Sequence, residues 1–131
     1  MDHLGRLFVL GVIAFAMLGC KPQIGDSCKL STDCSVTGDR LCDTSQPDGY
    51  CTIFNCEFGT CPGESACIEF HPGSNAPSPP SVSTSRFARR FCIATCGQAS
   101  DCRSGYVCVD PKDRDARMLD NNASYPKVCL P

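Results

Sequence analysis

Apolar residues form one long run at the start of the chain and only short clusters after it. Leu7 to Leu18 is a stretch of 12 residues without a polar side chain, and the short head before it carries Arg6. That length matches the apolar segment of a signal peptide, about 7–15 residues, and falls short of the about 20 that a membrane-spanning helix needs. The pattern therefore predicts an exported protein.

After Lys21 the larger apolar residues mostly stand beside cysteines. Such positions are typical of short strands, and the Gly, Ser, Thr and Asp residues between them are typical of turns. The alternation predicts a small disulfide-rich fold of short β-hairpins and long loops, with little helix outside the signal peptide. The residues that flank the later cysteines are Leu41, Tyr50, Ala66, Ile68, Phe91, Ile93, Val107, Val109, Val128 and Leu130.

Two cleavage sites compete for the end of the signal peptide. Ala14-Phe15-Ala16 fits the small-x-small rule, with a cut after Ala16 and a secreted product. Met17-Leu18-Gly19-Cys20 resembles the lipobox of bacterial lipoproteins, although Leu is usual at the first position; the cut then follows Gly19 and Cys20 carries the lipid. The number of cysteines favours the second site, because 13 − 1 = 12 is an even number that can form six bridges.

Composition places the mature protein in an oxidising compartment. After a cut at Gly19 the chain has 131 − 19 = 112 residues, of which 12 cysteines are about 11%. This fraction marks a disulfide scaffold of the periplasm, the cell surface or the exterior. Sparse apolar residues argue against one continuous hydrophobic core. The formal net charge of −2 implies no strong field, so nucleic acid is not an expected partner.

The 12 remaining cysteines fall into three groups of four with similar spacing. The first intervals hold 5, 4 and 5 residues and the second 7, 5 and 5, whereas the third vary as 8, 24 and 20. Ser, Thr or Asp precedes each second Cys and a Gly stands before each third Cys. This recurrence predicts one unit used three times. The groups are Cys28, Cys34, Cys42 and Cys51; Cys56, Cys61, Cys67 and Cys92; and Cys96, Cys102, Cys108 and Cys129.

The groups also predict how the chain is organised. The segments are a lipoprotein signal peptide (1–19), a lipidated tether (20–27) and a disulfide-rich domain (28–131) with units 28–51, 56–92 and 96–129. Four cysteines allow three pairings, so the spacing leaves the connectivity open. We predict that the first Cys of each unit pairs with the third and the second with the fourth, which would tie the turns onto the hairpin.

One run of residues carries a resemblance to a known family. Cys96 to Cys108 has the form Cys-x5-Cys-x5-Cys, with Ser100-Asp101 before the middle Cys and Gly105 after it. With the signal peptide, the lipobox-like residues and the repeats, it resembles the cysteine-rich lipoproteins of myxobacteria and related deltaproteobacteria. The resemblance implies an outer-membrane lipid anchor, on the periplasmic face or the cell surface, and no particular activity. Lys21 is also not the Asp that favours inner-membrane retention in enteric bacteria.

Two insertions interrupt the repeat, and binding residues concentrate in such loops. The first, 68–91, ends in a basic and aromatic run that would hold phosphate or acidic sugar; the alternative is a strand with solvated Arg. The second, 110–127, carries four Asp whose order does not match a calcium-binding loop. The candidate binding residues are Arg86, Phe87, Arg89 and Arg90 in the first, and the carboxylates of the second are Asp110, Asp113, Asp115 and Asp120.

The sequence does not favour an enzyme. His71 is the one His after the signal peptide, and neither a nucleophile motif nor a phosphate-binding loop accompanies it. Without a Cys-x-x-Cys, neither zinc nor another cofactor is expected. Two functions remain: a membrane-anchored binding or scaffold module with an unknown protein or glycan partner, and, as the alternative, a secreted or anchored small protease inhibitor with a loop such as 86–91 as bait.

Overall fold

The computed structural model describes residues 21–71, 88–121 and 123–131, which form short strands and turns with little helix. This confirms the prediction of a small disulfide-rich, strand-based fold. The predicted signal peptide 1–19, the predicted lipidation site Cys20 and most of the first insertion lie outside the described residues. The elements are helix α1 (Ser31–Cys34) and strands β1 (Leu41–Asp43), β2 (Tyr50–Thr52), β3 (Ser65–Phe70), β4 (Arg89–Cys96), β5 (Val107–Val109), β6 (Ala116–Met118) and β7 (Lys127–Leu130), with 3-10 turns at Ala99–Asp101 and Pro111–Arg114.

The second and third units share one sheet, to which the hairpin of the first unit is attached. Strands pair antiparallel in the order β5-β7-β4-β3-β6, and β1 pairs with β2 alone. The chain after β2 runs along β4 on the side away from β3, because the Cys92 amide donates to the Ile53 carbonyl at 3.0 Å. The Asn55 amide likewise donates to the Arg90 carbonyl at 2.8 Å. Backbone hydrogen bonds thus connect the units independently of the disulfides.

All 12 domain cysteines are bridged, and the pairing is the same in each unit. The third and fourth Cys are direct register partners on paired strands, so each hairpin presents two neighbouring sulfurs. These sulfurs bond to the first and second Cys of the preceding turns, which confirms the predicted connectivity. The bridges are Cys28–Cys42, Cys34–Cys51, Cys56–Cys67, Cys61–Cys92, Cys96–Cys108 and Cys102–Cys129.

The residue before each second Cys closes the turn that follows the first Cys. The Asp33 carboxylate accepts from the amides of Lys29 and Leu30 at 2.8 and 2.9 Å. The Asp101 carboxylate accepts from the two equivalent amides at 2.8 and 3.0 Å, and Thr60 Oγ1 accepts from the Glu57 amide at 2.9 Å. Backbone hydrogen bonds lower the pKa of Asp33 and of Asp101. The three units therefore share their local chemistry as well as their spacing.

Contrary to the sequence-based expectation, one main buried cluster spans the three units. It contains 14 residues, five of them cysteines, and joins residues of the sheet to Tyr50 of the first unit. A smaller cluster of Cys28, Cys34 and Cys51 lies within the first unit. Bridges and apolar side chains thus form the same core, because the strands place both on facing positions.

The predicted tether 20–27 is too long, because much of it belongs to the fold. Ile24 is buried in the main cluster, and the Gly25 amide donates to the Cys51 carbonyl at 2.9 Å. The Pro22 carbonyl accepts a hydrogen bond from Arg40 Nη1. Residues two to four positions after the predicted lipidation site are therefore part of the fold. The sequence did not indicate that this segment belongs to the fold, because Ile24 is a single larger apolar residue in it.

The insertion 110–127 is likewise more structured than a loop. Its residues form a 3-10 turn and the edge strand β6, which pairs with β3 through Ile68↔Met118 and Phe70↔Ala116. Asp120, buried beside this strand, accepts from the Gly59 amide at 2.7 Å and from the Cys67 amide at 2.6 Å. This one carboxylate fixes the insertion of the third unit to the turns and strand of the second.

We expect Asp120→Ala to lower the free energy of unfolding by about 2–3 kcal/mol, because two amides lose a charged acceptor at a site closed to water. Urea denaturation followed by circular dichroism would measure it. Asp113→Ala is the matched control: Asp113 is exposed on the neighbouring turn, and its change should stay within about 0.5 kcal/mol. Equal effects of the two substitutions would contradict the anchoring role of Asp120.

Candidate ligand-binding cleft

A cleft of about 480 Å³ lies where the three units meet. Its volume falls within the range of about 300–1,000 Å³ that is usual for small-ligand sites. The second unit and β4 supply Phe70, Phe91 and Ile93, the first supplies Tyr50, and the third supplies Tyr106 and Leu130. We call these six side chains the floor of the cleft. No single unit contains the floor, so the cleft exists only when all three are assembled.

Strand register brings the apolar side chains of the floor together. Ile68 pairs with Phe91 and Ala66 with Ile93, so alternate residues of β3 and β4 share one face of the sheet. Phe70 belongs to the same face, and its ring lies 5.9 Å from that of Phe91 in an edge-on arrangement. Phe70 and Phe91 lie near the two ends of the first predicted insertion, 68–91, and both border the cleft.

Two tyrosines of the floor, Tyr50 and Tyr106, pack against each other and against Arg103. The rings of Tyr50 and Tyr106 lie 5.5 Å apart, and Arg103 Cζ lies 4.3 Å from the centre of the Tyr106 ring. Arg103 Nη2 donates to the carbonyls of Pro47, at 3.0 Å, and of Gly49. Burial raises the pKa of Tyr50 and of Tyr106, so both phenols are neutral at physiological pH. The two tyrosines are thus held in one position by contacts between the first and third units.

The polar groups at the bottom of the cleft are already paired within the protein. Thr52 Oγ1 donates to the Cys92 carbonyl at 2.8 Å, and the Tyr106 hydroxyl donates to the Pro47 carbonyl at 3.0 Å. The Tyr50 hydroxyl oxygen accepts from the Ala94 amide at 2.9 Å. The floor therefore presents mainly apolar surface, and it suits an apolar or aromatic group better than a hydroxyl-rich one.

The rim of the cleft is acidic. Asp43 lies on one side, on the hairpin of the first unit, and Asp113, Arg114 and Asp115 lie on the 3-10 turn of the third. Among the described residues that line the cleft, three carboxylates thus face one guanidinium. Within residues 21–71, 88–121 and 123–131, the side chains of Asp113 and Asp115 make no hydrogen bond and no salt bridge. Both carboxylates are exposed, so their charge is available to a ligand.

Of the arginines that the sequence singled out, the described Arg89 and Arg90 make different contacts. Arg89 is exposed at the start of β4, whereas Arg90 Nε donates to the buried carboxylate of Glu69 at 2.8 Å. Arg90 is therefore part of an internal ion cluster, which corrects its assignment as a binding residue. Arg86 and Phe87 lie outside the described residues, so the basic run as a whole stays a prediction.

The ion cluster around Glu69 was not foreseen from the sequence. Glu69 is 1% exposed, and its carboxylate accepts from Arg90 and from Arg117 Nε at 2.9 Å, while His71 Nε2 lies 3.2 Å from Oε1. Burial raises the pKa of Glu69, but the hydrogen bonds and charges of the two arginines outweigh it and hold that pKa below its ordinary value. Arg90 and Arg117 both face Glu69 across paired strands, a juxtaposition that needs knowledge of the register.

The described cysteines offer no thiolate to a metal. Each unit contains one group of three Cys sulfurs that lie within 4.8 Å of one another, but every member of these groups is in a disulfide. Metal ligation by Cys requires the thiolate. The groups reflect the two bridges of a unit lying side by side, and the expectation of no metal site stays a prediction.

Comparisons with known proteins do not extend this picture. Searches of protein-family models, of curated proteins and of solved structures find no match to the chain. In the part of the chain that the structure describes, no helix has the length and apolarity to cross a bilayer. The resemblance to cysteine-rich bacterial lipoproteins thus stays a prediction from the sequence.

The sequence alone did not indicate that the residues of the floor and rim lie together. Tyr50 and Tyr106 are 106 − 50 = 56 positions apart along the chain, although their rings are in contact, and no motif links them. The one available signal was that the first insertion carries aromatic residues and the second carries acidic residues. Because each unit has the same bridges, a cleft between units becomes visible only once their mutual packing is known.

Proposed function

We propose that this protein is a membrane-anchored, disulfide-stabilised binding module without enzymatic activity, and that the cleft is its binding site. The observation that carries the proposal is the cleft itself: an aromatic, apolar floor with an exposed acidic rim, assembled from all three units. Its side chains provide shape and charge but no paired nucleophile and base. Binding is the chemistry that such a surface supports.

The positions of Pro22 and Ile24 support an anchor close to the domain. Pro22 and Ile24 are held by the fold, so a lipid on Cys20 would keep the domain against the surface of the membrane. Three residues lie between Cys20 and Ile24, and a chain of three residues spans at most about 11 Å. The cleft of an anchored protein would therefore meet partners in or near the envelope, in keeping with the predicted outer-membrane location.

Protease inhibition is the alternative, and the structure gives it less support. A bait residue must extend into the protease, yet Arg90 is engaged with Glu69, and both Arg89 and Arg90 are paired with β3. Of these two arginines, only Arg89 is exposed. We therefore rank the binding module first.

The intact mass of the protein extracted from membranes tests both parts of the proposal. With thiols alkylated and disulfides left unreduced, we expect a chain that starts at Cys20, carries acyl groups and contains no alkylated thiol. A photoreactive benzoylphenylalanine in place of Arg114, on the rim, should give a covalent adduct after irradiation of whole cells. The same residue in place of Glu57, which is exposed and outside the cleft, should not.

Two results would contradict the proposal separately. A lipid-free chain that starts at Met17 and has one alkylated thiol would remove the anchor and leave a secreted protein. Equal adducts at positions 114 and 57 would remove the cleft as the binding site. An anchored protein with a silent cleft would keep the location and require another surface.

A further inference from the structure

We infer that the cleft binds a protein segment in which an aromatic or aliphatic side chain is flanked by lysine or arginine. This inference rests on the proposed function, because it names the partner of the same site. Three features of the cleft support it: the apolar surface of the floor, the negative charge of the rim, and the distribution of the rim charges around the floor.

The floor selects an apolar group. Four of its six side chains carry no polar atom, and the hydroxyls of the other two, Tyr50 and Tyr106, are engaged with backbone groups. A sugar placed on this floor would give up hydrogen bonds to water and gain few in return. An aromatic or branched aliphatic side chain would instead bury apolar area against Phe70 and Phe91. The floor therefore favours a peptide side chain over a glycan.

The rim selects positive charge. Among the described residues, three carboxylates and one guanidinium give the rim a net charge of −2, which is also the formal net charge of the whole chain. The carboxylates of Asp113 and Asp115 are exposed and, among the described residues, unpaired. A cationic ligand is attracted to such a rim and an anionic one is repelled. Charge complementarity thus distinguishes a basic segment from an acidic one.

The distribution of the rim charges suits a peptide in particular. Asp43 belongs to the first unit and Asp113 with Asp115 to the third, so carboxylates stand on two sides of the floor. A ligand with one apolar group and one charge could use only one side. A segment with a basic residue before and after the apolar one can meet both.

The test uses short peptides and the full disulfide-bonded protein with labelled methyl groups. The probes are acetyl-Lys-Phe-Lys-amide, its acidic counterpart acetyl-Glu-Phe-Glu-amide, acetyl-Lys-Ser-Lys-amide and maltotriose. Methyl signals of Ile93 and Leu130 report on the floor, and those of Ile24 and Val36 report on sites outside it. We expect the Lys-Phe-Lys peptide to shift the floor signals and to bind more tightly than each of the other three probes.

A charge-matched pair of variants tests the role of the rim. Asp113→Asn combined with Asp115→Asn should weaken the Lys-Phe-Lys peptide about threefold to tenfold, as expected for two exposed ion pairs. Asn also tolerates the left-handed backbone of residue 115, where φ is 50°. Asp26→Asn combined with Glu57→Gln removes the same charge from exposed sites outside the cleft and should leave the affinity unchanged.

The outcomes separate this inference from the proposed function. Preferential binding of maltotriose or of the acidic peptide at the floor would overturn the inference and leave the cleft as a binding site. Equal weakening by the two double variants would also overturn it, because bulk charge would then explain the affinity. Silence of the floor signals with all four probes would overturn the inference, and adduct formation at position 114 would then decide the proposed function by itself.

Discussion

Reduction of the six disulfides is expected to unfold the domain completely at 25 °C. Each bridge contributes about 2–4 kcal/mol, mainly by restricting the unfolded chain, and six together, about 12–24 kcal/mol, are comparable to or larger than the about 5–15 kcal/mol net stability of ordinary domains. Cysteines also supply five of the 14 residues in the main buried cluster. Loss of amide-exchange protection and of near-ultraviolet circular dichroism after treatment with dithiothreitol would measure the effect.

Single bridges provide the matched controls for that experiment. Cys61–Cys92 closes 31 residues and Cys56–Cys67 closes 11, within the same unit. Loop-closure entropy predicts that paired Cys→Ala substitutions cost about 3.7 kcal/mol for the first bridge and about 2.8 kcal/mol for the second. A reduced protein that kept native amide protection, or the reverse order of the two bridges, would show that packing dominates over chain restriction.

The local plan of each unit could be predicted from the sequence because it depends on neighbours along the chain. Cysteine spacing, the Asp or Thr before the second Cys and the flanking apolar residues together define a turn and a hairpin. The spacing left three pairings open, and the predicted pairing of the first Cys with the third and the second with the fourth is the one that the bridges show. These features repeat, so each unit supported the interpretation of the others.

Contacts between units could not be predicted, because they depend on packing and not on spacing. Ile24 and Tyr50 stand alone among polar residues or beside a Cys, and nothing in the sequence shows that both enter the main core. Strand β6 was hidden in an insertion rich in charge, where Ala116 and Met118 are its inward residues. The cleft is formed by such contacts between units, and for this reason the sequence indicated loops in a region where the structure has a cleft.

Glu69→Gln is expected to lower the free energy of unfolding by about 2–3 kcal/mol. The substitution keeps the shape of the side chain but leaves Arg90 and Arg117 without the carboxylate that lies between them. Removing one partner of a buried pair costs about 3–5 kcal/mol, and partial exposure of the two arginines, at 32% and 55%, reduces that figure. Urea denaturation at pH 7 gives the change, and Glu57→Gln, at an exposed site, is the control.

The pH dependence of this effect identifies its cause. Because the pKa of Glu69 is lower in the folded protein than its ordinary value of 4.5, its contribution is present above about pH 4.5 and is lost as pH falls through the folded pKa. The difference in stability between the native protein and Glu69→Gln should therefore be constant near neutrality and shrink in acid. Asp33 and Asp101 also have lowered pKa values, but both proteins retain them, so they cancel in the difference. Parallel stability curves from pH 7 to pH 2 would instead mean that Glu69 acts through packing, and that its charge does not hold β3, β4 and β6 together.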